Sequence, residues 1–294
     1  ASMNNLAMLY FNQGNYSKAK SLYVRALSIN EKVLGKEHPQ TATSLDNLAV
    51  LYLNQGNYRK AEQLYVRAIA INEKVLGKEN LQTALSLNGL GMHYQLQGSY
   101  SKAEPLLVRS LAIMEKILGN EHPLTAVSLT NLAEFYYSQG NYKKSESLLV
   151  RSLAIIEKVL GKEHPLTALS LINLVGFYWS KGDINRATDY LTRGLAVEQK
   201  NLQFIYAVGE ESRKQNYVQT LTKRTDIIVT LALQESSENP TLGKLAATTI
   251  LRRKGRVLDV MTDIVRILRT QRADNPETKK LFDDWLYQFC MRLR

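Results

Sequence analysis

The stretch NLAVLYLNQGNYRKAEQLYVRA, residues 47–68, decides the fold, because the 294-residue chain repeats its pattern at a fixed interval. Its first tyrosine and its glycine recur every 42 residues along the first two thirds of the chain, and its first asparagine recurs in every copy but the third, which has Gly89. The corresponding residues are Asn5, Asn47, Gly89, Asn131 and Asn173; Tyr10, Tyr52, Tyr94, Tyr136 and Tyr178; and Gly14, Gly56, Gly98, Gly140 and Gly182. Five copies with this many shared positions indicate a tandem array of one structural unit.

Within one copy, the apolar residues follow the spacing of two helices. In the second copy they form one face of each helix: Leu45, Leu48, Leu51 and Tyr52, followed by Ala61, Leu64, Tyr65 and Ala68. Gly56 lies between the two faces, and glycine readily adopts the left-handed conformation that ends a helix. The pattern therefore predicts an all-α chain built from helical hairpins.

Each hairpin has a recognisable beginning and end. A Leu-Gly step closes the second helix, and a pair such as His38-Pro39 begins the next first helix, where the N–H that proline lacks would be unpaired anyway. The third copy has Asn80-Leu81 instead, so we expect its helix to begin less sharply. Because one hairpin cannot bury its apolar face alone, residues 1–200 are predicted to stack as five hairpins in a right-handed superhelical solenoid with a concave inner face.

This pattern resembles the tetratricopeptide repeat in a long, 42-residue form. Leu6, Ala7, Tyr10, Ala19, Tyr23 and Ala26 match that family's pattern of large and small positions. The phrases from Tyr23 to Ile29 and from Glu31 to Gly35 are similar to the kinesin light chain type of repeat. The resemblance implies a groove, lined by the first helices, that binds an extended peptide or a partner protein.

An asparagine ladder is the main candidate for ligand binding. Asn5, Asn47, Asn131 and Asn173 share one first-helix position, although asparagine is a mediocre helix former. An amide offers both a donor and an acceptor, and the family resemblance implies that these amides clamp the backbone of a peptide. A hydrogen bond between helices of neighbouring copies is the alternative interpretation. The predicted groove also contains Asn12, Asn54, Tyr137 and Trp179.

The family's acidic-ligand features are absent from the corresponding positions. Relatives that bind chaperones hold a terminal carboxylate with groove lysines, where this chain has Asn4, Asp46, Asn88, Thr130 and Ile172. Kinesin light chains often carry an arginine late in the second helix, where this chain has Asn30, Asn72, Met114, Ile156 and Glu198. A preference for acidic peptides is therefore not predicted.

The last third of the chain, residues 201–294, lacks the repeat and is predicted to form helices that cap and connect the array. The segment from Ile250 to Asp259 resembles a segment that, in bacterial proteins, lies between such repeats and a caspase-like protease domain. The resemblance implies an alternative function, in which the chain is the regulatory or scaffolding part of a protein with a downstream protease. Arg252, Arg253, Lys254 and Arg256 form its densest basic cluster, which we interpret as a solvated face or a contact between domains.

Composition argues against several function classes. The single cysteine, Cys290, cannot form a disulfide framework or a thiolate metal site, and it points to the cytoplasm. His38, His122 and His164 recur with the repeat, so they cannot converge on one active site, and His93 is interpreted as a packing or surface residue. No apolar run approaches the roughly 20 residues that span a membrane. The recurrent arginines, Arg25, Arg67, Arg109, Arg151 and Arg193, are assigned to structural contacts.

These observations predict a protein–protein interaction scaffold that binds a peptide segment or a partner protein. We expect no enzymatic activity, cofactor, metal or small-molecule substrate. The net charge of +11 is spread along the chain, so nucleic acid is not the expected partner.

Overall fold

The structure, a computed structural model, describes residues 2–208, together with Leu245 and Thr249. Ten helices and no strands occur in this part of the chain. They are α1 (Ser2–Asn12), α2 (Tyr16–Val33), α3 (Pro39–Asn54), α4 (Tyr58–Val75), α5 (Leu81–Leu96), α6 (Tyr100–Leu118), α7 (Pro123–Ser138), α8 (Tyr142–Leu160), α9 (Pro165–Ser180) and α10 (Ile184–Val208). The predicted all-α solenoid of helical hairpins is confirmed.

The helices stack as a solenoid in which the first helices form the inner layer. Each helix from α1 to α8 contacts the next along the chain, as expected for hairpins joined by short turns. In addition, α1 contacts α3, α3 contacts α5, and α5 contacts α7. In a curved stack the inner elements approach one another most closely, so the odd-numbered helices line the concave side.

Small residues allow the two helices of a hairpin to approach closely. Ala49 in α3 and Ala61 in α4 are fully buried, as are their counterparts in the first hairpin, Ala7 and Ala19. In the third hairpin a Cβ atom on Gly91 would lie only 2.7 Å from Cγ of Leu107. The close helix packing therefore depends on the small residue that the first four copies keep at this position, where the fifth copy has a buried valine, Val175.

Glycine ends the first helices, as the sequence predicts. α3 stops at Asn54 and α7 at Ser138, and the glycines that follow, Gly56 and Gly140, both have φ of 71°. An asparagine then caps the second helix. Oδ1 of Asn57, for example, accepts a hydrogen bond from the backbone N–H of Lys60 at 3.3 Å.

The recurring histidines cap the first helices. Nδ1 of His38, His122 and His164 accepts a hydrogen bond from the backbone N–H two residues later, at 3.1 Å in each case. Asn80 does the same in the third copy, where its Oδ1 accepts from Gln82 N–H at 2.9 Å. The expectation that α5 begins less sharply is therefore wrong, because an asparagine oxygen replaces the imidazole nitrogen as the cap.

The fifth hairpin does not end as the first four do. α2 and α4 end one residue before the Leu-Gly step, and α6 and α8 end at its leucine, whereas α10 continues past residue 200 to Val208. At the corresponding place the chain reads Leu202-Gln203, so the glycine that would break the helix is missing. The first compact unit of the structure spans Ala1–Asn201. The predicted cap in residues 201–294, including the Arg252–Arg256 cluster and Cys290, lies outside the described residues except for the end of α10, Leu245 and Thr249.

Ion pairs join successive repeats on the second helices. Arg67 pairs with Glu31 at 2.7 Å, and the same bond recurs with the 42-residue step between Arg109 and Glu73 and between Arg151 and Glu115. Exposed pairs of this kind contribute between about 0 and 1 kcal/mol each. The structural interpretation is confirmed for Arg67, Arg109 and Arg151, and for Arg193, which pairs with Glu157 at 2.9 Å; for Arg25 it stays a prediction.

One histidine is part of the core. His93 in α5 occupies the position that holds Leu51, Phe135 and Phe177 in other copies, and it is fully buried. Its ring lies edge-on to Tyr94, with 5.5 Å between ring centroids, and neither ring nitrogen has a hydrogen-bond partner. The packing role expected for His93 is confirmed. The unpaired nitrogens destabilise the fold locally.

Candidate functional site

The candidate site is the inner face of the odd-numbered helices. We define this inner face by the stripe of α3 on its concave side, together with the counterparts at 42-residue steps. In α3 the stripe consists of Thr43, Asp46, Asn47, Val50, Leu53 and Asn54. Positions three and four residues apart lie on the same side of a helix, so this spacing forms one continuous strip. Every described member of the inner face is half-buried or exposed.

The asparagine ladder lies on this face, with two different local environments. Asn47 and Asn173 are half-buried, and within the described part of the chain their amides have no hydrogen-bond partner. Asn131 is also half-buried, but its Nδ2 donates a hydrogen bond to Oδ1 of Asn88 in α5, at 3.1 Å. Asn5 is exposed. Asn47 and Asn173 therefore keep their polar groups available, whereas Asn131 also joins two helices.

The predicted polar extension of the ladder is exposed. Asn12 and Asn54 both lie at the ends of their helices on the inner face. Nδ2 of Asn54 donates to the backbone oxygen of Val50 at 2.9 Å, four residues earlier in its own helix. This bond occupies one donor and leaves the amide oxygen of Asn54 accessible.

The two predicted aromatic residues follow one another along the array. Tyr137 is exposed, and its ring lies edge-on to Tyr142 and to Phe177, with centroid distances of 5.5 and 6.1 Å. Trp179 is half-buried one repeat later. Contacts with neighbouring rings hold Tyr137 in place, so it presents a rigid apolar surface.

A row of aliphatic side chains crosses the inner face, and the sequence analysis did not identify it. Leu85, Val127 and Leu169 stand at one position of three successive copies, and they are 39%, 47% and 42% exposed. Val50 and Leu96 add further exposed apolar surface on the same face. The sequence indicates this row only by an aliphatic residue that recurs in the last three copies, at a position where the first two copies carry Ala1 and Thr43.

Charge is sparse on this face and of one sign. On the inner face of α1 to α9, the charged side chains are two carboxylates, Asp46 and Glu134, although the whole chain carries a net charge of +11. Burial raises the pKa of Asp46 to about 7, and the hydrogen bond from Ser86 opposes this shift. The inner face therefore offers a negative or neutral surface, and none of its side chains can pair with an acidic ligand.

Asp46 belongs to a polar cluster between the second and third repeats. Oγ of Ser86 donates to Oδ2 of Asp46 at 2.6 Å, and Nδ2 of Asn72 donates to Oγ of Ser86 at 3.1 Å. Oδ1 of Asp46 is covered and has no hydrogen-bond partner. The sequence analysis noted Asp46 only as a departure from the lysine of other groove proteins, because its partner Ser86 lies 40 residues further along the chain.

The described residues contain no group of three or more metal-ligating side chains that could hold a metal ion. None of the helices in residues 2–208 is both long and apolar enough to cross a bilayer.

Comparison with known proteins agrees with this architecture. The tetratricopeptide repeat profile matches residues 1–74, 47–116, 82–142 and 124–200. No curated protein gives a match. Similar solved structures include BtubC (BKLC) from P. vanneervenii, which is 26% identical with a TM-score of 0.57, the match covering 67% of this chain and 79% of that one. A putative kinesin light chain from Podosopora anserina, with nearly identical TPR-like repeats, is 31% identical with a TM-score of 0.55, covering 68% and 95%.

A more distant structure shares the fold alone. A Rap protein complexed with Competence and Sporulation Factor has a TM-score of 0.60, and the match covers 89% of this chain and 75% of that one at 17% identity. The resemblance of residues 250–259 to a segment before a caspase-like domain is not supported by these comparisons, and it stays a prediction.

Stacked helical hairpins with an open inner face define a solenoid repeat protein, the class of fold that presents an extended surface to its partners. The chain belongs to the tetratricopeptide repeat family, and its solved relatives include proteins of the kinesin light chain type.

Proposed function

We propose that the inner face binds an extended, predominantly apolar segment of a partner protein. The observation that carries this proposal is the pairing of available amides with exposed aliphatic side chains on one strip. Asn47 and Asn173 keep unpaired amides beside Val50 and Leu169, respectively. An extended segment has unpaired backbone N–H and C=O groups and alternating side chains, so both parts of this strip have a matching partner.

The dimensions of the array suit an extended chain. Packed helices lie about 8–10 Å apart, and an extended strand advances about 3.3 Å per residue. One ladder position therefore meets the ligand about every three residues, and each carries an amide except Gly89 in the third copy. Between the amides, Leu85, Val127 and Leu169 offer apolar contacts. Each apolar contact that excludes water contributes in proportion to the area it buries, about 25 cal/mol per Å².

The charges on the inner face disfavour an acidic peptide as the ligand. No lysine, arginine or histidine lies on the inner face of α1 to α9. An acidic ligand would place its carboxylates near Asp46 or Glu134 without a compensating cation, and like charges repel. The likeness to kinesin light chain repeats thus supports the binding of an extended segment along the inner face, but it does not support a preference for acidic segments.

The experiment begins with peptides selected from a random twelve-residue phage library against the immobilised 294-residue chain. The affinity of the tightest peptide is then measured for three variants. Asn173→Ala removes an available amide, and Val127→Ser removes an aliphatic group from the inner face. Val150→Ser is the matched control, because Val150 lies on the second helix α8 with 42% exposure, close to the 47% of Val127.

We expect Asn173→Ala and Val127→Ser each to weaken binding by about 1 kcal/mol, which is the usual contribution of one hydrogen bond or one to two methyl groups. Val150→Ser should leave the affinity unchanged. Unchanged affinity in both inner-face variants, or a loss confined to Val150→Ser, would contradict the proposal and move the binding surface to the outer helices.

A further inference from the structure

The fourth and fifth copies depart from the first three at one position of the inner face. The first three copies carry an apolar side chain there, Met8, Val50 and Met92, whereas the fourth has Glu134 and the fifth has Gly176. Neither residue favours the fold, because a carboxylate loses hydration on a partly covered surface and glycine weakens the middle of a helix. Departures of this kind from a consistent pattern are expected where a residue serves binding and not stability.

The carboxylate of Glu134 is open to a ligand. Its side chain is exposed, and it has neither a hydrogen bond nor an ion pair within the described residues. Glutamates of the second helices differ in this respect, since Glu73 and Glu115 each pair with an arginine of the next repeat. Neighbouring atoms on the concave side exclude part of the water around Glu134 and raise the pKa of its carboxyl. A positive charge beside it would stabilise the ionised form.

Gly176 leaves room next to this carboxylate. It occupies the position of Glu134 on the following first helix, it is exposed, and an added Cβ atom would meet nothing within 4 Å. The helices α7 and α9 are in contact here, because the ring centroids of Tyr137 and Phe177 lie 6.1 Å apart. The space between Glu134 and the backbone of α9 is therefore open, and a ligand side chain has access to it.

Aromatic side chains flank this space one helical turn further along both helices. Tyr137 follows Glu134 by three residues, and Trp179 follows Gly176 by three, so each lies on the same side of its helix as the residue it follows. Tyr137 is 37% exposed and is fixed edge-on against Tyr142. The faces of such rings attract ammonium and guanidinium groups.

A lysine of the chain itself already contacts the neighbouring ring. Nζ of Lys181 lies 3.6 Å from the ring centroid of Tyr142, and the Tyr142 ring is 5.5 Å from that of Tyr137. This row of aromatic rings thus accommodates an ammonium group. Among the described residues, neither Lys181 nor another cation pairs with Glu134, so its carboxylate stays available.

We propose that Glu134, Tyr137, Trp179 and the space at Gly176 form a subsite for a lysine or arginine side chain of the bound segment. This inference rests on the proposed function, since it assigns a specificity to one place on the same inner face. The charged end of the ligand side chain pairs with the Glu134 carboxylate, and its methylene groups pack beside the two rings. No other copy joins an acid and an aromatic residue at these two positions, so the segment should carry one basic residue among apolar ones.

The first test is a positional scan of the tightest phage-selected peptide, in which each residue in turn becomes lysine, glutamine or glutamate. At one position lysine should bind about fivefold more tightly than glutamine, as expected for one exposed ion pair with a cation–π contact, and glutamate should bind most weakly. Glu134→Gln should abolish that difference while the glutamine peptide still binds. Asp46→Asn is the matched control, because it removes the other inner-face acid two repeats away, beyond the range of screened charges, and should keep the lysine preference.

A second variant fills the space from within the protein. Gly176→Met copies Met92 from the corresponding position of the third copy, so its side chain should occupy the place of the ligand's methylene groups. We expect this variant to lose the lysine preference, whereas Gly176→Ala, which adds a single methyl group, should keep it. A lysine preference that survives both Glu134→Gln and Gly176→Met would overturn the assignment.

A third test exchanges the charge of the subsite and separates this inference from the proposed function. The phage selection is repeated with Glu134→Lys as the target, and an acidic residue should be enriched where wild type enriches a basic one. If peptides lose affinity with Asn173→Ala and Val127→Ser but show no such exchange, the subsite is wrong and the proposed function stands. If the exchange occurs but those two variants bind normally, the subsite stands and the proposed binding along the whole strip is wrong.

Discussion

Nδ2 of Asn131 lies 3.1 Å from Oδ1 of Asn88, so a side chain of the asparagine ladder also joins the first helices of two adjacent repeats. Asn173 occupies the same position one repeat later, and its amide has no partner within the described residues. The sequence left two interpretations of the ladder open, a clamp for a ligand and a hydrogen bond between helices. Asn131 forms the bond between helices, whereas Asn173 keeps its amide available for a ligand.

Replacing each of these asparagines by alanine should separate the two roles. Asn131→Ala removes a hydrogen bond and should lower the free energy of unfolding by about 1 kcal/mol. Asn173→Ala removes no intramolecular bond, and alanine is the better helix former, so its stability should be unchanged or slightly higher. Urea denaturation followed by circular dichroism measures both. Equal losses in the two variants would show that the Asn131–Asn88 bond adds no stability.

Asp46→Asn should stabilise the protein at neutral and alkaline pH. Unfolded aspartate loses its proton near pH 4, whereas the folded carboxyl keeps it until about pH 7. Across that window the native state binds the extra proton, so the stability contributed by this group falls as the pH rises. The substitution removes this penalty, with a gain of up to about 4 kcal/mol at pH 8, since a tenfold change in proton affinity corresponds to about 1.4 kcal/mol, and with little effect at pH 4.

Unfolding curves at pH 4, 6 and 8 for wild type and Asp46→Asn test this dependence. Asp189→Asn, the same substitution at an exposed aspartate of α10, serves as the comparison for the loss of one negative charge. A gain that is the same at all three pH values would contradict the assignment of the effect to the titration of Asp46.

His93→Leu should raise stability, and more so in acid. The leucine copies Leu51 at the corresponding position and removes two buried nitrogens that have no partners, for a gain of about 1 to 3 kcal/mol at pH 7.5. Burial lowers the pKa of His93, and the charge of Glu62 opposes that shift. Below the ordinary histidine pKa, the unfolded chain takes up a proton that the native state resists, so wild type loses stability as the pH falls.

The measurement is the difference in unfolding free energy between His93→Leu and wild type at pH 7.5 and pH 5.5. The difference should grow on acidification. If His93→Leu were less stable than wild type at both values, the contacts of the imidazole with Tyr94 and Tyr58, at centroid distances of 5.5 and 6.0 Å, would outweigh the cost of the unpaired nitrogens.

Two glycines should respond in opposite directions to substitution by alanine. Gly140 has φ of 71°, which costs a residue with a Cβ atom about 1 to 2 kcal/mol, so Gly140→Ala should destabilise the protein. Gly176 lies inside α9, where an added Cβ atom meets nothing within 4 Å, so Gly176→Ala should stabilise it by about 0.5 to 1 kcal/mol. Thermal unfolding of both variants checks the signs. A stabilised Gly140→Ala would mean that the turn after α7 tolerates another conformation.

The fold was predictable because it depends on local rules that each copy repeats. Helical spacing, the glycine after each first helix and the capping residue before it act within a few residues of chain. The 42-residue step then multiplies one hairpin into an array. The sequence interpretation was wrong at Asn80, where an asparagine replaces the capping histidine and still caps the helix. The fifth hairpin differs from the others at Gln203, because the glycine that would end its second helix is missing and α10 continues.

The sequence by itself determined the hairpins, their stacking and the strip on which the ladder asparagines stand. Only the tertiary structure decided what each of those side chains faces. Asn131 meets Asn88 across 43 residues of chain, and Asp46 has Ser86 as a donor 40 residues away but Gly89 in place of a second donor. Periodicity assigns a residue to one side of its helix, but its partners lie on the helix packed opposite. The identity of those partners depends on which side chains of two repeats fit into the same space, as Tyr65 and Gly89 do.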